Sequence, residues 1–319
     1  LDDEEVEVLG FKTRIMKIKI LVFLLISVVG FSQKKKINEE YDYIKNYYQF
    51  VYQAHYEYLN GNYKKAYDLL KTAEKNCPLL NQMEINEPAI LAQCAMHLNK
   101  PKEVVHYLEI SVRDYGVNFD SIKKGTFYKD IQNTKYWRKL ERKAKKYHEA
   151  YLKQVDLDLR NEIFKMKEED QRVRTTKNPD NKTMQLVDSI NNQKLKKIVA
   201  DCDCFPDEMF PQFGNYTIDD KFFRAVIFVY HINSEDAEYW KPIFLDLIRR
   251  GRAPAEIYGT LIDSNLRSNG VYQYGIYSNI GKDLIEDFEN LDKRRIAVGL
   301  PPWQLKKDIL ELIKKKYGI

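Results

Sequence analysis

Motifs of the common nucleotide-dependent and hydrolytic enzymes are missing from this chain of 319 residues. It has no glycine-rich phosphate loop, no Gly-x-Ser-x-Gly nucleophile elbow and no His-Glu-x-x-His zinc helix. Nucleotide-dependent chemistry and the usual serine and zinc hydrolase designs are therefore disfavoured. No cofactor and no bound metal is expected, and the sequence does not decide whether the protein is an enzyme.

Cysteine is scarce, with four residues in the chain. Four are too few for the disulfide framework of a small secreted domain. Cys77 and Cys94 fall at neighbouring positions of two predicted helices, so they either form a bond or remain buried thiols, and thiols are the expectation. Cys202 and Cys204 resemble half of a zinc site, but zinc takes four ligands and no second Cys/His pair follows at a useful spacing. We expect a structural role for this pair.

A run of about 20 apolar residues, the length that spans a bilayer, is also missing. The longest apolar stretch, residues 20–29, is preceded by Lys17 and Lys19 and followed by Gly30-Phe31-Ser32. This order of basic, apolar and small residues predicts a secretory signal peptide. We expect a periplasmic or secreted protein with no integral membrane segment after cleavage.

Residues 1–32 are predicted to comprise an acidic upstream extension and the signal peptide, with translation starting at Met16. The mature chain, residues 33–319, has 287 residues and carries 48 Lys and Arg against 42 Asp and Glu. Its basic runs are far apart in sequence, so they are interpreted as solvated surface and no nucleic-acid partner is expected. The length favours two domains, residues 33–155 and 156–319.

Residues 40–152 have the pattern of helical hairpins. Helices are predicted over residues 40–59 and 63–76, joined by a turn at Asn60-Gly61-Asn62. Small residues sit where two helices of a pair would pack closely, and a proline ends the second helix; these are Ala54, Ala66, Ala73 and Pro78. This unit resembles a tetratricopeptide repeat, and a degenerate second unit follows 39 residues later.

The first predicted helix is crowded with tyrosine, at positions 41, 43, 47, 48, 52, 56 and 58. Tyrosine is favoured at protein interfaces, so these side chains fit an exposed binding surface for a protein or peptide. Packing between repeats is the alternative and the simpler explanation.

The C-terminal half is also predicted to be helical. Helices are expected over residues 157–174, 184–200, 240–250, 255–268 and 303–317. Residues 222–232 form the most apolar segment of the mature chain and are predicted to be a buried core helix. The fold class is therefore all-α: a short tetratricopeptide-like array followed by a compact helical domain.

Polar residues of this half occur in a recognisable order. In sequence they are Asp170-Gln171 with Arg174, Phe205-Pro206, His231, Asp263, Gln273-Tyr274-Gly275 and Arg294-Arg295. On these positions residues 159–313 resemble the domain of unknown function 6624, a bacterial family. The chain has Cys204-Phe205 where the family has Gly-Trp, and Ser264 where it has Arg. The resemblance implies candidate positions without a reaction.

These positions leave two functions open. In one, the protein is an exported interaction or scaffold module that binds a protein or peptide through the repeat-like half. In the other it is a hydrolase-type enzyme with His231 as general base beside Asp170 or Asp263. The candidate binding residues are Gln171, Arg174, Gln273, Tyr274, Arg294 and Arg295. A buried polar network is the structural alternative for all of them, because unpaired buried polar groups are costly.

Overall fold

The computed structural model describes residues 41–80, 86–206 and 224–318. Within these residues the chain is helical, and the only pairing of extended backbone is an isolated bridge between Tyr272 and Ile285. The predicted all-α class is therefore confirmed. The predicted signal peptide, with Met16 and the cleavage site, lies outside the described residues. In the part described, no helix has both the length and the apolar character that crossing a membrane requires.

The repeat-like half contains the predicted hairpins. Its helices are α1 (Tyr43–Asn46), α2 (Tyr48–Leu59), α3 (Tyr63–Asn76), α4 (Glu87–His97), α5 (Pro101–Tyr115), α6 (Phe119–Lys124) and α7 (Lys135–Leu152). Consecutive long helices pack on each other from α2 to α5, and α5 packs on α7. Gly61 makes the first turn at φ +80°, a value that glycine adopts without strain. The predicted helix over residues 40–59 is instead broken at Tyr47, whose φ is −132°.

Small and aromatic side chains fill the interior of these hairpins. Ala54, Ala66 and Ala73 have no exposed surface, as close packing of the two helices requires. Five tyrosines of the first segment are also buried, namely Tyr43, Tyr47, Tyr48, Tyr52 and Tyr58. The tyrosine-rich segment therefore serves the core, as the packing explanation predicts, and Tyr41 and Tyr56 are partly exposed.

The remaining helices are α8 (Leu157–Arg174), α9 (Asn181–Cys202), α10 (Val226–Val229), α11 (Ser234–Arg249), α12 (Glu256–Leu266), α13 (Leu291–Ala297) and α14 (Trp303–Tyr317). Side-chain caps fix several starts. The Asp156 carboxylate accepts from the Leu159 amide at 2.8 Å, and the Asn233 side chain accepts from the Asp236 amide at 2.8 Å. The Asn233 cap begins α11 six residues before the predicted start at Trp240.

The predicted core helix over residues 222–232 is wrong in length. Its described part contains the single turn α10, although Val226, Phe228, Val229 and Ile232 are buried as expected. Apolar character therefore predicted burial and not helix length, because a short apolar run fits either a helix or a compact turn.

The described residues from Tyr41 onward belong to one compact unit and share one main hydrophobic core across position 156. The Tyr48 hydroxyl in α2 donates to the Ile248 carbonyl at 3.2 Å, and α14 packs on α2. Cys77 and Cys94 are buried free thiols, as expected. Cys202 and Cys204 form a disulfide, with 5.2 Å between their Cα atoms, which the sequence interpretation did not include.

Candidate functional site

His231 and Asp170 are brought together by α8 and the turn after α10. The Asp170 side chain is fully buried, and its Oδ2 lies 3.8 Å from Nε2 of His231. That distance exceeds hydrogen-bond range. The carboxylate is instead occupied by other groups: Gln171 Nε2 donates to Oδ2 at 2.7 Å, and Arg174 Nη1 lies 3.0 Å from Oδ1.

Arg174 links this carboxylate to a second one. Its Nη2 pairs with Asp188 on α9, and its Nη1 also donates to the Asp170 backbone carbonyl at 3.2 Å. Burial lowers the pKa of His231, Asp170 raises it and Arg174 lowers it, so the net shift is downward. The imidazole is therefore neutral at pH 7. Its side chain is 26 % exposed, so it is open to solvent on one side.

Asp263, the other candidate carboxylate, lies in a separate group of contacts. It is fully buried in α12, where its Oδ1 accepts from the amides of Gln273 and Tyr274, and its Oδ2 from the amide of Ile276, each at 2.9 Å. Burial raises the pKa of this carboxyl, and the three backbone donors and Arg295 oppose that rise. Asp263 thus holds the loop after α12 in place.

Arg295 holds the same loop from its other side. Its guanidinium donates to the carbonyls of Pro301, at 2.6 Å, and of Tyr274. Burial lowers its pKa to about 10, which still leaves it charged at pH 7. Arg294 binds the Gln273 carbonyl at 3.3 Å and the Asp287 carboxylate at 3.0 Å. Gln273, Tyr274, Arg294 and Arg295 are therefore joined in one loop-holding network.

The sequence candidates thus form two groups rather than one. His231, Asp170, Gln171 and Arg174 make the first, and Asp263 with its loop makes the second. Among the described residues no hydrogen bond or ion pair joins His231 or Asp170 to Asp263. In the same ranges, no group of three or more His, Cys, Asp or Glu side chains is placed to hold a metal ion.

Sequence reasoning missed the pocket that adjoins the second group. It has a volume of about 370 Å³ and lies between α2, α10, α12, the loop after α12, and α14. Its aromatic walls are Tyr52, Tyr230 and Tyr277. Of the candidates, only Arg295 contributes to the lining. No sequence pattern marks this pocket, because its lining comes from segments up to 258 residues apart, from Tyr52 to Leu310.

The charged groups of the pocket are three cations and one carboxylate: Arg224, Arg295, Lys306 and Glu256. Arg224 pairs with Glu256, so these two charges compensate each other. Counted over the side chains that line it, the pocket has more positive than negative groups, since Arg295 and Lys306 add to the Arg224–Glu256 pair. A partly apolar pocket with a few oriented polar groups is the usual form of a ligand site.

No protein-family model, no curated protein and no solved structure matches the chain. The resemblance of residues 159–313 to the domain of unknown function 6624 therefore stays a prediction.

Proposed function

We propose that this chain is an exported interaction protein that binds a short, carboxylate-bearing peptide segment in the pocket between α2, α12 and α14. The observation that carries the proposal is that positive side chains outnumber negative ones, three to one, in the lining of a pocket of about 370 Å³ with tyrosine walls. A carboxylate, either at a peptide's C-terminus or on an Asp or Glu side chain, complements that charge. Export is the part of the proposal that depends on the N-terminal sequence pattern.

The volume of the pocket favours a short segment over a large ligand. Its volume is near the lower end of the range for small-ligand sites, about 300 to 1,000 Å³. Tyr230 is 38 % exposed at one side, and Arg295, 2 % exposed, forms part of the floor. A few residues with one buried acidic group fit these dimensions.

The hydrolase hypothesis receives no comparable support. A general base must reach the proton it abstracts, and its orienting carboxylate should lie within hydrogen-bond distance. Asp170 is 3.8 Å from His231 and already binds Gln171 and Arg174, while Asp263 binds three backbone amides. These contacts match the structural alternative for the polar residues.

The proposal can be tested with a random peptide library whose members end in either a free carboxylate or an amide. We expect the protein to enrich peptides with a free C-terminus or acidic residues. Lys306→Glu should weaken binding of an enriched peptide at least tenfold, because it replaces a positive side chain of the lining with a negative one. Lys314→Glu is the matched control, since Lys314 is exposed on the same helix and does not line the pocket.

Two outcomes would overturn the proposal. One is the absence of any preference for carboxylate-bearing peptides in the wild-type selection. The other is equal loss of affinity in Lys306→Glu and Lys314→Glu, which would show an effect of overall charge rather than of the pocket.

A further inference from the structure

One helix has a net charge equal to that of the full chain. α7 has seven basic side chains and two acidic ones, a net of +5, and the formal net charge of the chain is also +5. The rest of the chain therefore has equal numbers of basic and acidic side chains. The sequence interpretation, which considered short basic runs, missed this concentration because helical spacing separates the charges in sequence.

All seven cations of α7 lie on one side of it. At about 100° per residue they span an arc of about 160°, opposite the buried stripe of Trp137, Leu140, Ala144 and Tyr151. We call these seven exposed side chains the basic face: Lys135, Arg138, Lys139, Arg142, Lys143, Lys145 and Lys146. Lys153, which is exposed at the C-cap of α7, extends the basic face.

Little within the protein compensates this charge. Glu149 lies 3.9 Å from Lys145, and Glu141, at the edge of the arc, binds Lys123 at 2.5 Å. Arg142 donates to the Arg138 backbone carbonyl, at 3.3 Å. Among the described residues, five members of the basic face pair with no carboxylate; these are Arg138, Lys139, Arg142, Lys143 and Lys146.

This arrangement is unfavourable for the isolated helix. Four pairs of like charges are spaced i, i+4, and each costs about 0.2 to 0.5 kcal/mol. An external anion removes that cost. A helix that keeps these repulsions on a solvent-facing surface is therefore suited to an anionic partner.

We propose that the basic face binds the surface of an anionic phospholipid bilayer. Five of the seven cations are lysines, which act as point charges and do not need the planar, bidentate geometry that arginine provides. They cover an area about 17 Å long, from residue 135 to residue 146, at 1.5 Å per residue. That spread matches a layer of headgroups.

The composition of the face disfavours a single-stranded nucleic acid, which is held by aromatic stacking. The basic face contains no aromatic and no large apolar side chain. Duplex DNA, whose phosphates lysine and arginine also bind, is the alternative that the test below distinguishes. Contact with the bilayer is thus peripheral and electrostatic. It is independent of the pocket, because no residue of α7 lines that pocket.

The test measures sedimentation of the protein with vesicles of phosphatidylcholine alone and of phosphatidylcholine mixed with phosphatidylglycerol. We expect binding to the mixed vesicles only, and loss of that binding between about 0.1 M and 1 M salt as screening increases. The triple variant Lys139→Gln/Arg142→Gln/Lys146→Gln should lose about a hundredfold in affinity, since each charge at an anionic surface contributes about fivefold.

The matched control is Lys314→Gln/Lys315→Gln/Lys316→Gln, which removes the same charge from the exposed end of α14. We expect it to retain affinity within about fivefold. Thermal unfolding of both variants checks that each is folded. The proposal is overturned by failure to bind the mixed vesicles, by equal losses in the two triples, or by random duplex DNA displacing the protein at equal phosphate concentration. The last result would identify a nucleic-acid partner.

Discussion

The Tyr52 hydroxyl in α2 donates to the backbone carbonyl of Gly299, 3.1 Å away and 247 residues later in the chain. Gly299 has φ +85°, and a Cβ atom there would lie 2.9 Å from the Tyr48 ring and 3.2 Å from the Ile248 side chain. The repeat-like helices and the C-terminal helices therefore approach so closely at this point that only glycine fits. The two halves predicted from sequence depend on each other for packing.

Gly299→Ala should lower the free energy of unfolding by about 2 to 4 kcal/mol, combining left-handed backbone strain with overpacking. Gly61→Ala is the control, because Gly61 has φ +80° and no atom within 4 Å of an added Cβ. Gly61→Ala should lower the free energy of unfolding by the backbone strain alone, about 1 to 2 kcal/mol. Urea denaturation measures both. Equal losses in the two variants would show that the contact at Gly299 is not tight.

Local features of this fold could be predicted from sequence. The turn at Gly61 and the helix over residues 63–76 were found because turn residues and helical periodicity act over a few positions. The length of the segment 222–232 could not be found in this way. Its apolar residues are buried by distant helices, and such contacts decide whether a short apolar run continues as a helix.

The candidate site was also only partly predictable from sequence. Asp170 and Asp263 were predicted as candidate site residues, and both are fully buried. The sequence did not show that the Asp263 carboxylate accepts hydrogen bonds from backbone amides 10 to 13 residues later in the chain. Because of these bonds, Asp263 belongs to the loop-holding network and not to the group around His231. The pocket beside Arg295 was not predictable, since its walls meet only in the folded chain.

The cysteines give a prediction that labelling can check. We expect no reaction of the native protein with iodoacetamide, because Cys202 and Cys204 are joined and the other two thiols are buried. Burial raises the pKa of Cys77 to about 11 and of Cys94 to about 12, which leaves little reactive thiolate. After mild reduction, Cys202 should be labelled first, because it is partly exposed and Cys204 is not.

Mass spectrometry of the labelled chain identifies each site, and a sample in denaturant with reductant gives the full count of four. Labelling of Cys202 in the absence of reductant would contradict the disulfide. Labelling of Cys94 in the reduced native protein would contradict its burial.

Asp263→Asn should destabilise the protein strongly. Three backbone donors point at the carboxylate, and an amide would direct its own NH₂ group at one of them. The expected loss is about 2 to 4 kcal/mol, given the strength of hydrogen bonds to charged groups and the cost of a buried unpaired donor. Ser264→Ala, on the same helix, should cost about 1 kcal/mol or less, since its hydroxyl bonds back to the Leu261 carbonyl of that helix.

Urea denaturation again gives the two values. Unchanged stability in Asp263→Asn, together with loss of peptide binding, would assign Asp263 to a functional site instead of the loop-holding network.

His231 gives a pH dependence whose sign follows from its environment. Burial lowers its pKa below the ordinary value of 6.5, and Asp170 and Asp188 only partly oppose this. The unfolded chain therefore takes up a proton at higher pH than the folded chain does. Stability is fully present above pH 6.5 and falls as the pH drops through the pKa of the folded state.

His231→Gln removes this titrating group. As the pH is lowered from about 7 to about 5, the free energy of unfolding of the wild type should therefore fall more than that of the variant. Gln193→Ala, at an exposed position on α9 without a titrating side chain, is the control and should track the wild type over that range. Urea denaturation at each pH gives the comparison. If acidification instead lowers the free energy of unfolding of the variant more than that of the wild type, protonated His231 is stabilised by Asp170. The carboxylate rather than burial would then dominate the pKa of His231.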